Sequence, residues 1–172
     1  MILRNIRARL EYIDYLFMNQ IELIDFTEDL KKYIKVLNYE WLEKYFKVEK
    51  GDEESLSNPT EKIINKGGYI FYAKLNGEIV GTASLLRDTD QVFQLGKMAV
   101  TEQAQGHGIG QLLLAHCLQV AKEKSIRTLY LYSNTLLASA IHLYKKFGFV
   151  EVPLESGLYE RANIKMEKQL FY

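Results

Sequence analysis

Three glycines in five residues, Gly106, Gly108 and Gly110, lie between an apolar run ending at Val100 and a leucine-rich run starting at Ile109. A strand, a glycine-rich loop and a helix start in that order gather unpaired N–H groups at the positive end of a helix dipole. Glycine lets such amides approach an anion with no Cβ in the way. The segment Gln105, Gly106, His107, Gly108, Ile109 and Gly110 therefore reads as a backbone cradle for the pyrophosphate of a bound cofactor. The competing reading is structural: the same glycines serve a tight turn and close helix packing. Glycine costs about 1 kcal/mol per residue at a helix start, which favours the ligand reading.

Two nucleotide motifs fail on context. A phosphate loop of the Walker type needs Gly-Lys-Ser/Thr, and Gly110 is followed by Gln111. A dinucleotide fold needs the loop after its first strand, inside an alternating parallel pattern. Here the loop follows the fourth strand-like run, and the runs before it form a hairpin.

The elements that position the loop follow from periodicity and punctuation. Ile21 to Phe26 reads as a strand, and Thr27 as the cap of a helix opening with Glu28 and Asp29. A second helical stretch carries Trp41, Leu42, Tyr45 and Phe46, followed by an acidic loop from Glu49 to Glu54. Asn58-Pro59 starts a short helix through Ile64, which Gly67-Gly68 ends. Tyr69–Leu75 and Glu78–Leu86, joined by Asn76-Gly77, form a hairpin with a type I′ turn. Further strands are expected over Val92–Val100, Thr128–Tyr132, Phe149–Leu154 and Ile164–Leu170, with helices over Ile109–Lys124 and Ser139–Phe147. With no repeats or linkers, the expectation is one α+β domain. Met18 is a candidate initiator, which makes 1–17 an N-terminal extension and 18–172 the domain proper.

The spacing Gln105-x-x-Gly108-x-Gly110, after LGKMAV and before an apolar helix, resembles the cofactor motif of the GNAT acetyltransferases. AIHLYKKFGF, from Ala140 to Phe149, is similar to the second signature of that superfamily. The likeness spans Ile21 to Leu170. LNYEW, GGYIFYA, KMAV and YERANIKM are similar to a subgroup that includes acetyltransferase halves fused to MarR-type regulators.

The resemblance implies a mixed, mostly antiparallel sheet of six to seven strands, flanked by helices and splayed at its central strands. It implies acetyl-CoA as cosubstrate, with direct transfer to a primary amine of a small molecule, amino acid or protein. Met98 and Val100 would pair with the pantetheine arm, with Ala99 between them counted to the cofactor site, and Tyr144 would protonate the departing thiolate. Subgroup relatives tend to carry Glu where Gln94 stands, and an amide cannot take up a proton near neutral pH. Gln94 is left to orient the acceptor or a water; Glu49, Asp52 and Glu160 are alternative bases. Many members also have Asn where Leu137 stands, and Asn134 is the nearest amide for the pantetheine. Tyr159 and Arg161 fall where acceptor contacts are common in this fold. Homodimers are common in such families.

His116 and His142 sit on separate helices without paired ligand spacing, so no metal is expected, and Cys117 lies on an apolar helix face. Lys plus Arg and Asp plus Glu number 22 each, which argues against nucleic acid as a partner. No apolar run reaches the roughly 18 residues of a membrane span, and no signal peptide opens the chain, so the expected setting is the cytoplasm. Glu40, Glu43, Glu49 and Asp52 would favour a cationic acceptor if they face the cleft. The second functional reading is a non-catalytic acyl-CoA-binding module, which Gln94 keeps open.

Overall fold

A computed structural model describes residues 21–155 and 159–171. The expected extension, 1–17, lies outside the described residues. Seven strands form one sheet in the order β1-β2-β3-β4-β5-β7-β6. They are β1 (Ile21–Asp25), β2 (Tyr69–Leu75), β3 (Glu78–Arg87), β4 (Val92–Val100), β5 (Thr128–Ser133), β6 (Val150–Val152) and β7 (Ile164–Gln169). Every pairing is antiparallel except β4 with β5. Asn76 and Gly77, at φ 53° and 87°, make the tight hairpin turn between β2 and β3.

Among the described residues four α-helices flank the sheet: α1 (Lys32–Tyr45), α2 (Lys50–Ser57), α3 (Ile109–Glu123) and α4 (Ala138–Lys146). Period-2 alternation along the strands separates two apolar clusters. On one face, Ile70 and Tyr72 of β2 meet Ile34 and Leu42 of α1 and Leu56 of α2. On the other, Phe71 and Ala73 meet Leu113 and Cys117 of α3, with Leu143 and Tyr144 of α4 packed alongside. Each fully buried Leu or Ile there contributes roughly 2 kcal/mol.

Two local expectations change. Residues 32–45 form one continuous helix, preceded by a 3-10 turn at Glu28–Leu30. Thr27 is its N-cap but makes no side-chain cap bond. The expected acidic loop is the start of α2, where Glu49 and Asp52 form a reciprocal capping box. Acids at the cap and third position satisfy the first free N–H groups and suit the helix dipole. With Leu56 the only large apolar residue of this helix, apolar periodicity had nothing to report.

Candidate active site

The site begins where two parallel strands part. β4 and β5 pair at Val92–Thr128, Phe93–Leu129 and Gln94–Tyr130, and no further. Beyond Gln94, β4 runs six more residues against β3 alone, and β5 runs on to Ser133 against β7 alone. A bulge on β4 accompanies the parting. Thr82 faces Ala99 and Ser84 faces Gly96, so β4 holds one residue more than β3 there. Lys97 absorbs it in a left-handed conformation, φ 49°.

The free edge of β4 carries polar backbone groups. Thr101 N–H donates to Val80 O at 2.9 Å, so by alternation Ala99 also turns its amide groups toward β3. Met98 and Val100 turn theirs toward the gap left by β5. Ala99, between them, lies in the ladder with β3 and is buried at 7% exposure.

The glycine loop closes this gap at one end. Gly106 and Gly108 have φ of 82° and 76°, and a Cβ added at either meets nothing within 4 Å. Leu112 N–H is the first of α3 to be donated back, to Gly108 O, so among the described residues the amides of 106–111 have no acceptor. The Gln105 side chain donates to Val100 O at 3.1 Å. The His107 ring folds back with Nδ1 at 3.2 Å from the Ala104 and Gln105 carbonyls. Both side chains therefore brace the loop, leaving its backbone as the binding surface. Gly81 sets the depth: a Cβ there would lie 3.0 Å from Ile109 Cγ2 and Leu113 Cδ1, so a larger residue would require those side chains to give way or α3 to move from β3.

Tyr144 packs from α4 against the apolar cluster of this face, its ring edge-on to Phe149 at 6.0 Å. Burial, with a smaller contribution from Cys117, pushes its hydroxyl up to about 12. It is therefore protonated throughout the neutral range. Cys117 itself is fully buried in the core. Asn134 donates to Arg161 O at 2.7 Å and accepts from Leu136 N–H at 2.8 Å, which leaves one N–H and one lone pair unused.

On the opposite face of the sheet, charge is concentrated and paired. Asp52, 1% exposed, receives Lys97 Nζ at 3.1 Å and both terminal nitrogens of Arg161, while Glu49 N–H approaches at 3.3 Å. All four acceptor positions of one carboxylate are thus occupied. Burial works to raise its pKa, but Arg161 and Lys97 outweigh it and hold the group below the usual carboxylate range. Glu49 accepts from Arg161 Nη1 at 3.0 Å and from the backbone of Glu160 and Arg161. The Arg161 guanidinium lies 4.6 Å from the Tyr159 ring and 5.7 Å from that of Trp41. Asn38, 1% exposed, pins the bulge by donating to Lys97 O at 3.2 Å.

The acidic residues therefore do not form a free anionic patch. Glu49 and Asp52 are neutralised, and Glu40 is spent on Thr101 and the Glu102 amide. Gln94 stands at the parting point, 9% exposed. Sequence reasoning missed Asn38, Lys97, Tyr130, Tyr132 and Lys165. The signal for three of them was present in TLYLYS and IKM, where buried Leu and Ile or Met alternate with polar residues on the far face. Among the described residues no group of three His, Cys, Asp or Glu is placed to hold a metal, and no helix is long and apolar enough to cross a membrane.

The profile described as "Acetyltransferase (GNAT) family" matches residues 35–149. Streptothricin acetyltransferase of Streptomyces lavendulae is 29% identical over 97 residues, 56% of this chain and 51% of that protein. The ribosomal protein bS18-alanine N-acetyltransferase of Haemophilus influenzae is 35% identical over 104 residues, 58% of this chain and 68% of that one. The chain thus spans about half the length of several relatives it matches. A GNAT-family acetyltransferase structure from Staphylococcus aureus Mu50 covers 88% of this chain at TM-score 0.79 and 25% identity, over all of its own length. The PaiA N-acetyltransferase of Thermoplasma acidophilum, solved with coenzyme A, covers 88% at TM-score 0.68 and 21% identity, over 99% of its own length.

Proposed function

This chain belongs to the acetyltransferase (GNAT) family, and from that membership we propose that it moves the acetyl group of acetyl-CoA directly to a primary amine. The single observation that carries the reading is the parting of β4 from β5 beside the glycine loop. It creates a slot with strand-edge polar groups along one side and unpartnered amides at one end. The pyrophosphate fits the amides of Gly106 to Gly110, where left-handed glycines leave the approach open. The pantetheine fits the edge at Met98 and Val100, and the spare N–H of Asn134 is free for the same arm. Acetyl-CoA supplies an activated thioester. The chain's own residues orient it, exclude water and manage one proton.

That proton concerns Tyr144. A hydroxyl near 12 facing a thiolate of conjugate pKa about 8.5 is uphill by roughly 5 kcal/mol for complete transfer. The burial that raises the phenol also raises the thiol, which narrows the gap. Tyr144 thus acts first as a hydrogen-bond donor to the developing sulfur charge and completes transfer as the thiol leaves. Gln94 orients the acceptor at the slot. In this reading residues 18–172 form the transferase domain, and KMAV and YERANIKM support kinship with the MarR-fused subgroup.

Purified protein with acetyl-CoA and a panel of primary amines is expected to release free thiol. One observation favours a second reading, an acyl-CoA-binding module without turnover: Gln94 cannot take a proton, and the acids nearby are neutralised. Stabilisation by acetyl-CoA with no thiol release from any amine would select that reading. No stabilisation at all would sink both.

A further inference from the structure

Lys97, Arg161 and Lys165 stand near the parting strands, and the first two are fully matched. Lys97 and Arg161 share Asp52, and Arg161 also holds Glu49. Lys165 is different. Its side chain is 13% exposed, yet its one described acid partner, Glu155, lies at 3.4 Å and is 77% exposed. An ion pair with so solvated a partner contributes little, whereas a lysine side chain this covered gains from a close anion.

The position of Lys165 ties it to the slot. Tyr130 is the last β5 residue paired to β4, opposite Gln94, and Tyr132 faces Lys165 across β5 and β7. Lys165 Nζ lies 5.3 Å from the Tyr130 ring centre and 5.7 Å from that of Tyr132. The under-matched charge thus hangs over the two tyrosines that flank the mouth of the parting strands. We infer that Lys165 is an anion-binding residue of the acceptor site and that the acceptor is a small aminocarboxylic acid. Its carboxylate replaces Glu155 on Lys165 while its amine reaches the slot beside Gln94.

This inference rests on the transfer reading above, and its test separates the two. The twenty common amino acids and their carboxamides are compared with wild type, Lys165→Met, Lys165→Arg and Glu155→Gln. Ligand binding is read by calorimetry with coenzyme A present, and turnover by thiol release with acetyl-CoA. At least one acid is expected to bind about tenfold or more tightly than its amide. Lys165→Met should abolish that preference without weakening the amide, Lys165→Arg should restore most of it, and Glu155→Gln should tighten the acid by removing a competitor. Comparing each ligand with itself across variants cancels differences in amine basicity. An unchanged acetyl-CoA thermal shift identifies a folded variant, and Lys165→Arg tests the charge where Lys165→Met does not fold. Equal binding of every acid and its amide, or equal loss of both in Lys165→Met, overturns the inference even where thiol is released. A clear preference for acids with no thiol release keeps the subsite and sinks the transfer reading.

Discussion

Asp52 shows what a single carboxylate does when four donors converge on it. Removing its charge would leave Lys97 with the Tyr159 hydroxyl but no described acid partner, and Arg161 with Glu49 alone among described acids. Breaking a buried pair in this way costs about 3–5 kcal/mol, so Asp52→Asn should lower stability by that much in denaturant titrations at pH 7. The sign of the pH dependence follows from the lowered pKa. Stability from Asp52 is fully present above the unfolded carboxylate value near 3.9 and is lost as pH falls through the lower folded value. The gap between wild type and Asp52→Asn should therefore close in acid. A constant gap from pH 7 to pH 2 would show that the amide fails for steric reasons instead. Tyr144 makes the matching prediction for chemistry. Tyr144→Phe should lower kcat on the order of 100-fold and leave the dissociation constant of acetyl-CoA unchanged. Because burial lifts this hydroxyl to about 12, the wild-type rate should show no falling limb from it between pH 7 and 10.

At the level of elements, the approach of α3 to β3 and the turn that precedes it determine the cradle. Gly108 caps α3 at φ 76°. A Cβ there meets no protein atom, so Gly108→Ala should cost about 1–2 kcal/mol for the left-handed backbone alone. Acetyl-CoA affinity should fall by more than that strain explains, because the new methyl group enters the anion's approach. An affinity loss no larger than the stability loss would return Gly108 to a purely structural role. These elements were readable in the sequence because each announces itself locally. Leu113, Cys117 and Val120 mark a helix face, Asn76-Gly77 marks a turn, and Val92–Val100 is strand-like throughout. The acceptor side was readable only for Asp52, Tyr159 and Arg161, and not in its pairings, for a physical reason. Asn38, Asp52, Lys97, Tyr132, Tyr159 and Lys165 come from five separate stretches, and their meaning lies in partners that only the fold brings together. Glu49 and Asp52 look solvated in isolation. Their burial is set by Arg161, more than a hundred residues away.

For the whole molecule, one sheet separates two apolar clusters and, in the proposed reading, the donor from the acceptor. α3 and α4 with the glycine loop occupy one face, while α1, α2 and the ion network occupy the other. The parted strands are where the two faces communicate, so the central strands serve both packing and chemistry. Both apolar clusters share strand β2: Ile70 and Tyr72 point one way, Phe71 and Ala73 the other. Neither face can unfold without exposing the back of the other, so the protein should melt in one calorimetric transition, with equal van't Hoff and calorimetric enthalpies. A ligand held at the parted strands and the α3 terminus stabilises that whole unit. At a hundred times its dissociation constant, acetyl-CoA adds about 2.7 kcal/mol, which for a chain of this size raises the melting temperature by roughly 5–11 °C. Two transitions, only one of which moves with acetyl-CoA, would mean that the acceptor face folds apart from the donor face and that the sheet does not couple them.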